Sequence, residues 1–146
     1  KVNNLMMDAE SGRAIALVDL DTVKPGLVHY DIGDCLRSGC NALGEETLKP
    51  EEVVFDLERC EAILSGYLET AGQTLSEADH RYLFDSIRLI PFELGLRFFT
   101  DHLNGNRYFK ADREGHNLDR ALVQFALTAS IEAQENEIRE LLDQLC

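Results

Sequence analysis

The sequence has little positive charge, since 14 lysine and arginine residues stand against 27 aspartate and glutamate residues, a formal net charge of −13. A face basic enough to displace counterions from a nucleic-acid backbone is therefore not expected, and an anionic membrane surface would repel the chain. The sequence also lacks a run of about 18 apolar residues, the length needed to cross a bilayer. We expect neither nucleic acid nor a membrane as a partner.

The four cysteines lack the spacing of a zinc or redox site. Cys35, Cys40, Cys60 and Cys146 form no C-x-x-C pair, so reduced thiols in a cytoplasmic protein are predicted. The chain is 45% hydrophobic and 28% charged over 146 residues, which is typical of one soluble globular domain. Its acidity is compatible with a nucleoside triphosphate, because such ligands arrive with Mg²⁺, which carboxylates bind.

Hydrophobic patterning predicts a β-hairpin followed by helices. Apolar segments at 5–7 and 14–20 flank a polar segment in which Gly12 can take a positive φ. Helical patterns then begin at Pro50, at Ser76 and after Asn117 as helix N-cap. The fold class predicted is α+β and mostly helical.

The helical pattern that follows Ser76 carries two apolar stripes. One stripe comprises Leu83, Ile87, Ile90, Leu94 and Phe98, and the other comprises Phe92, Leu96, Phe99 and Leu103. A helix that is apolar on two faces packs on both sides, so this helix is predicted to be central. Pro91 within it predicts a kink or a break.

Polar oxygen ligands occur at both open ends of the predicted hairpin. Asn4 opens the first strand, and Asp19-Leu20-Asp21 closes the second. Each residue alone is a common loop former. Because antiparallel pairing brings the open ends together, Asn4 and Asp19 are predicted to share a Mg²⁺ ion.

Three segments together resemble the C-terminal lobe of the aminoglycoside phosphotransferase and choline kinase-like superfamily: Lys-Val-Asn-Asn at 1–4, Val-Asp-Leu-Asp at 18–21 and Tyr-Asp-Ile-Gly-Asp at 30–34. That family's catalytic loop reads His-x-Asp-x-Lys-x-x-Asn. The resemblance implies a protein kinase-like C-terminal lobe whose hairpin carries the metal site, with ATP as phosphoryl donor.

The same resemblance implies roles for individual residues. Lys1 would be the lysine of the catalytic loop, and Asn4 and Asp19 would hold Mg²⁺ during catalysis. Asp21 would assist a second metal or position the loop. Asp31 would be a buried aspartate that supports the catalytic loop.

The family's catalytic aspartate would lie two positions before Lys1, and its phosphate-binding lysine and glycine-rich loop belong to an N-terminal lobe. We therefore expect residues 1–146 to form a C-terminal lobe truncated at its N-terminus. The missing lobe of the same protein is an expected partner. On its own, the chain is expected to have no kinase activity.

More specifically, the chain is similar to N-acetylhexosamine 1-kinases in segments 18–27, 30–34, 94–101, 108–110 and 114–120 taken together. This similarity implies that Arg97 and Tyr108 bind the sugar, through a guanidinium fork and a phenol. From spacing alone, Glu93, Arg97 and Asp101 could equally form a surface ion-pair ladder. Tyr108 could equally be a partly buried loop aromatic.

The resulting hypothesis is an ATP-dependent phosphotransferase that acts on a small-molecule hydroxyl, with an N-acetylhexosamine favoured. An aminoglycoside, choline or homoserine is the alternative acceptor, because one fold serves several substrates. A non-catalytic helical binding module is the alternative from another class. An isolated helical interaction domain, whose stability would not respond to Mg²⁺, is the third.

Overall fold

The structure is a computed structural model that describes residues 2–21 and 23–145. Within these residues lie one two-stranded antiparallel sheet and six α-helices. The strands are β1 (Leu5–Met7) and β2 (Ala14–Leu17), and the helices are α1 (Val28–Gly39), α2 (Leu57–Ala71), α3 (Glu77–Arg81), α4 (Leu83–Leu103), α5 (His116–Ala133) and α6 (Glu135–Leu145). The predicted α+β, mostly helical class is confirmed.

The predicted hairpin is present. Leu5 pairs with Leu17 and Met6 with Ala16, and a bulge follows because Met7 pairs with Ala14. Gly12 in the connecting turn has a φ of +65°, a conformation that costs glycine little. The positive φ predicted for Gly12 is therefore present in the turn that joins the two apolar strands.

Helix α4 packs against α1 and α5 and occupies the centre of the helical part. The core combines Leu36 of α1, Ile87 of α4 and Leu127 of α5 with side chains of α2 and α6. At Gly33 the backbones of α1 and α4 come very close, since an added Cβ would lie 2.9 Å from the Ser86 carbonyl oxygen. The predicted central position of α4 is confirmed.

The second apolar stripe of α4 is largely exposed in the described part of the chain, although Phe92 packs against Phe125 of α5 with ring centres 6.1 Å apart. Phe92, Leu96, Phe99 and Leu103 are all exposed, Leu103 to 68%. The prediction that both apolar stripes of α4 are packed is therefore wrong for most of the second stripe, as far as the described residues show. Pro91 does not break α4 either, and the helical pattern is interrupted instead at Tyr82, between α3 and α4.

The helix predicted from Pro50 begins later than expected. Pro50–Glu52 form a separate 3₁₀ turn, and α2 begins at Leu57, where the Asp56 carboxylate accepts the Arg59 N–H at 3.0 Å. Between them Phe55 is buried and bridges to Asn41 in an extended conformation. Burial of Phe55 in an extended segment thus interrupts the helix that was predicted to run on from Pro50.

Helix α5 also differs from the prediction at both ends. It begins at His116 after Gly115, whose φ is +72°, so Asn117 lies inside the helix and is not its N-cap. The predicted continuous helix ends at Ala133, where the Gln134 amide donates to the Phe55 carbonyl at 3.1 Å.

Three cysteines, Cys35, Cys40 and Cys60, are free thiols, whereas Cys146 lies outside the described residues. Among the helices described, none has the length and apolar character needed to cross a membrane.

The close approach at Gly33 generates a stability prediction. Replacing Gly33 with alanine places a methyl group against the Ser86 carbonyl and within 2.5 Å of Ile90 Cγ1. We expect Gly33→Ala to lower the free energy of unfolding by about 1–3 kcal/mol, as measured by urea denaturation.

Gly66 is the matched control, because it lies in helix α2 and an added Cβ there meets no atom within 4 Å. Gly66→Ala should raise the free energy of unfolding by about 0.5–1 kcal/mol through helix propensity. Equal stability of Gly33→Ala and the unmodified chain would contradict the close contact between α1 and α4.

Candidate phosphotransfer site

The hairpin register brings Asn4 and Asp19 together. The Val18 N–H donates to the Asn4 carbonyl at 2.9 Å, which continues the strand pairing by one step and places Asp19 beside Asn4. The Asn4 side-chain amide donates to Asp19 Oδ2 at 3.3 Å. The predicted spatial convergence of these two side chains is therefore present.

Asp19 has a backbone φ of +60°. A left-handed conformation costs a non-glycine residue roughly 1–2 kcal/mol, although aspartate tolerates it better than most. Such strain concentrates at functional sites, where the position of a side chain matters more than local stability. The left-handed backbone therefore marks Asp19, and not its neighbours, as a candidate functional residue.

The donor atoms at this site suit a hard divalent cation. A carboxylate and an amide carbonyl are oxygen ligands of the kind that Mg²⁺ prefers. In the described part of the chain, no group of three or more His, Cys, Asp or Glu side chains is placed to hold a metal. A Mg²⁺ ion held by this pair would take its other ligands from water and further oxygen groups, as Mg²⁺ commonly does, and the Asn4 amide, which donates its N–H to Asp19, would turn its carbonyl to the cation.

The other residues predicted around the metal are Lys1, Asp21 and Asp31. Asp21 is exposed, and Lys1 lies outside the described residues. Asp31 was expected to be buried, but it is exposed in the first turn of α1. The expectation of burial is therefore wrong, because the side of α1 that packs onto α4 carries Ile32 and Gly33 instead.

Arg97 and Tyr108 line a depression at the end of α4. Its volume is about 540 Å³, within the range usual for small-molecule sites. The Arg97 guanidinium lies 3.4 Å from the Tyr108 hydroxyl. The other residues that line it are Glu93, Leu96, Thr100, Asp101, Asn104 and Phe109.

Aromatic rings and guanidinium groups stack next to this pocket. The Arg97 guanidinium carbon lies 5.7 Å from the Tyr108 ring centre and 5.3 Å from that of Phe109. Phe109 in turn packs on Phe98, with ring centres 4.5 Å apart. Cation–π contact of this kind favours the observed orientation of Arg97.

The proposed ion-pair ladder forms only in part. Glu93 approaches Arg97 at 3.7 Å, but Asp101 is 6% exposed and makes no ion pair with Arg97 among the described residues. The Asp101 carboxylate instead accepts the backbone N–H groups of three successive residues, Arg107, Tyr108 and Phe109. Asp101 thus binds the loop that carries Tyr108.

A charged cluster joins this loop to the segment before α2. Arg120 donates to the Lys110 carbonyl at 3.0 Å and to Glu46 at 2.8 Å. The Asp112 N–H donates to His116 Nδ1, so Nε2 carries the proton that His116 donates to Glu46. Burial would raise the pKa of Glu46, but Arg120 and His116 outweigh it and hold that pKa below its ordinary value.

Sequence reasoning missed Asp101 as a residue that lines the pocket and Asn117 as its buried hydrogen-bond partner. A usable signal existed for Asp101, which follows the buried positions Pro91, Gly95 and Phe98 at helical spacing. An acid on the buried face of a helix needs donors. No comparable signal marked Asn117, which resembles an ordinary N-cap.

The loop contacts of Asp101 predict a pH dependence. Desolvation would raise its pKa, but the backbone N–H donors of the loop outweigh this and hold the pKa below its ordinary value. The ionised group therefore stabilises the fold above about pH 4, and this contribution is lost as the pH falls through the lowered value.

We expect Asp101→Asn to lower Tm at pH 7, and the difference in Tm from the unmodified chain to shrink between about pH 4 and pH 3. Thermal unfolding followed by circular dichroism measures both. Asp143→Asn, which changes an exposed carboxylate on α6, is the control and should leave Tm nearly unchanged. A Tm difference for Asp101→Asn that persists undiminished at pH 3 would contradict this role of the ionised carboxylate.

Comparison with known families bears on the first of the two sites. Residues 1–62 match the model of the phosphotransferase enzyme family. The matched segment contains the hairpin with Asn4 and Asp19, all of α1 and the beginning of α2. Residues 1–62 are therefore similar to phosphotransferases. Arg97 and Tyr108 lie outside the matched segment, so the match carries no information about the pocket at the end of α4.

Proposed function

We propose that the protein is an ATP-dependent phosphotransferase that phosphorylates a hydroxyl group of a small molecule. The observation that carries the proposal is the convergence of Asn4 and Asp19 at the open end of the hairpin. It gains weight because both residues lie in the segment that matches the phosphotransferase family. The chain would then form the C-terminal lobe of a kinase-like fold.

In this proposal Asn4 and Asp19 hold Mg²⁺. The cation would neutralise charge that develops on the transferred phosphoryl group. Asp21 would assist a second metal or position the loop, Lys1 would act as the lysine of the catalytic loop, and Asp31 would support that loop from α1. The general base would be the aspartate expected two positions before Lys1.

A further part of the same protein is proposed to cover the hairpin. Apolar side chains there are unusually exposed, including Met6, Ile15 and Leu17. Contiguous exposed apolar surface often marks a site of contact with another domain or protein. An N-terminal lobe that supplies the glycine-rich loop and the phosphate-binding lysine would provide that contact.

The favoured acceptor is an N-acetylhexosamine, bound in the pocket that contains Arg97 and Tyr108. The pocket supplies a guanidinium and a phenol, which can hydrogen-bond directionally to hydroxyl and amide groups of a sugar. Tyr108 and Phe109 also offer aromatic surface to the apolar side of a sugar ring.

The pocket suits a neutral sugar better than the cationic alternatives. A quaternary ammonium such as choline would have to share the rings of Tyr108 and Phe109 with the Arg97 guanidinium, whose like charge repels it, whereas a neutral sugar meets no such repulsion. A polycationic aminoglycoside requires acidic groups, and of the two carboxylates that line the pocket, Glu93 approaches Arg97 and Asp101 binds the loop backbone.

Substitution of Asp19 tests the proposed reaction. In the protein extended by its N-terminal lobe, Asp19→Ala should reduce kcat for acceptor-dependent ATP turnover at least ~100-fold, since a residue that only supports a metal ligand already costs 10–100-fold. Labelled ATP with a panel of N-acetylhexosamine, choline, homoserine and aminoglycoside acceptors measures it.

Glu10→Gln removes an exposed carboxylate from the turn of the same hairpin and is the matched control, with turnover expected within about twofold of the unmodified protein. Wild-type turnover by Asp19→Ala would overturn the assignment of the metal site. Turnover with choline but not with the sugar would retain the reaction and overturn the proposed acceptor.

A further inference from the structure

We infer that Asp101 is a positioning residue of the acceptor pocket, which fixes the loop 104–109 and thereby sets the place of Tyr108 relative to Arg97. This inference rests on the proposed function, because it concerns the pocket in which the acceptor would bind. It adds to that proposal a residue whose side chain acts through the backbone of the loop.

The contacts of Asp101 are concentrated on three adjacent peptide groups. Oδ1 accepts the N–H of Arg107 at 2.9 Å and that of Tyr108 at 2.8 Å, and Oδ2 accepts the N–H of Phe109 at 3.0 Å. Three consecutive amides bound by one carboxylate leave that backbone little freedom. The orientation of the Tyr108 Cα–Cβ bond is set accordingly.

The loop is shaped to present these amides. Gly105 and Asn106 have φ values of +81° and +57°, which turn the chain back toward the end of α4. The Asn106 N–H also donates to the Asp101 carbonyl at 2.8 Å. Glycine and asparagine are the residues that adopt this left-handed conformation most readily.

Asp101 is itself held in place by α5. Asn117, which is fully buried, donates from its side-chain amide to Asp101 Oδ2 at 3.0 Å and to Asn106 Oδ1 at 3.0 Å. Arg120 binds the Lys110 carbonyl just beyond the loop. The loop is therefore bound by side chains of two helices, Asp101 of α4 and Asn117 of α5.

The position of Asp101 in α4 does not favour the helix. The residue lies in the last turn, where the helix dipole is negative and a carboxylate is destabilising. Its burial adds a desolvation cost that only hydrogen bonds offset. A carboxylate at this point is therefore explained by the loop that it binds and not by helix stability.

Tyr108 depends on this arrangement because side-chain packing holds it weakly. The residue is 75% exposed, and its described ring neighbours are Phe109, with centres 4.8 Å apart, and Arg97. If the backbone of 107–109 moved, the phenol would move with it. A displacement of about 1 Å is enough to disrupt a binding geometry.

Titration of N-acetylglucosamine into the 146-residue chain, followed by isothermal calorimetry at a temperature well below each Tm, tests the inference. Asp101→Asn places an amide NH₂ opposite the Phe109 N–H or the Tyr108 N–H, and should weaken sugar binding at least tenfold. Amide hydrogen exchange at 107–109 should accelerate in the same variant. Asp143→Asn, the same chemical change on α6, should bind within about twofold of the unmodified chain.

Asn117→Ala provides a milder variant that leaves the Asp101 carboxylate and its three loop amides in place, and should weaken binding about threefold. Unchanged affinity of folded Asp101→Asn would overturn the positioning role while leaving the proposed function intact. If Asp101→Asn does not fold, unchanged affinity of Asn117→Ala would overturn it. Absence of sugar binding by the unmodified chain would instead overturn the proposed acceptor, and the inference with it.

Discussion

The pairing of Leu5 with Leu17 fixes the register of the β-hairpin, and the proposed chemistry depends on that register. It sets Asn4 opposite Val18, so that the Asp19 carboxylate comes within hydrogen-bonding distance of the Asn4 amide. A shift by one residue would turn every side chain of one strand to the other face of the hairpin and separate the two oxygen ligands. The bulge at Met7 lies toward the turn, and therefore leaves the pairing at the open end undisturbed.

Both candidate sites contain a residue placed where local preference disfavours it. Asp19 has a left-handed backbone, and Asp101 is a buried carboxylate at the wrong end of a helix. Each is held by its surroundings: Asp19 by the hairpin and Asp101 by the amides of its loop. Local rules fail most often at functional positions, because selection there acts on the placement of a group and not on the stability of one turn. The two departures therefore point to the same parts of the molecule as the family match and the pocket.

The sequence was sufficient to predict features that depend on local chemistry. Two short apolar segments on either side of Gly12 predicted the hairpin, and the helical pattern from Ser76 predicted the start of α3. Features set by distant contacts were mispredicted. Phe55 leaves the helical pattern because it is buried against other segments, and Asn117 lies inside α5 because its amide binds Asp101 across the helix interface. Helical periodicity describes one segment at a time, and neither contact is visible in it.

The measurement that tests the central claim most directly is paramagnetic broadening of amide signals by Mn²⁺, a substitute for Mg²⁺, in the ¹H–¹⁵N spectrum of the chain. A cation shared by Asn4 and Asp19 should broaden the signals of these two residues and of Val18 first, at substoichiometric Mn²⁺, and excess Mg²⁺ should restore them. Signals around Glu10, in the turn at the opposite end of the hairpin, should broaden later. Broadening that begins at other acidic residues and spares Asn4 and Asp19 would contradict the account.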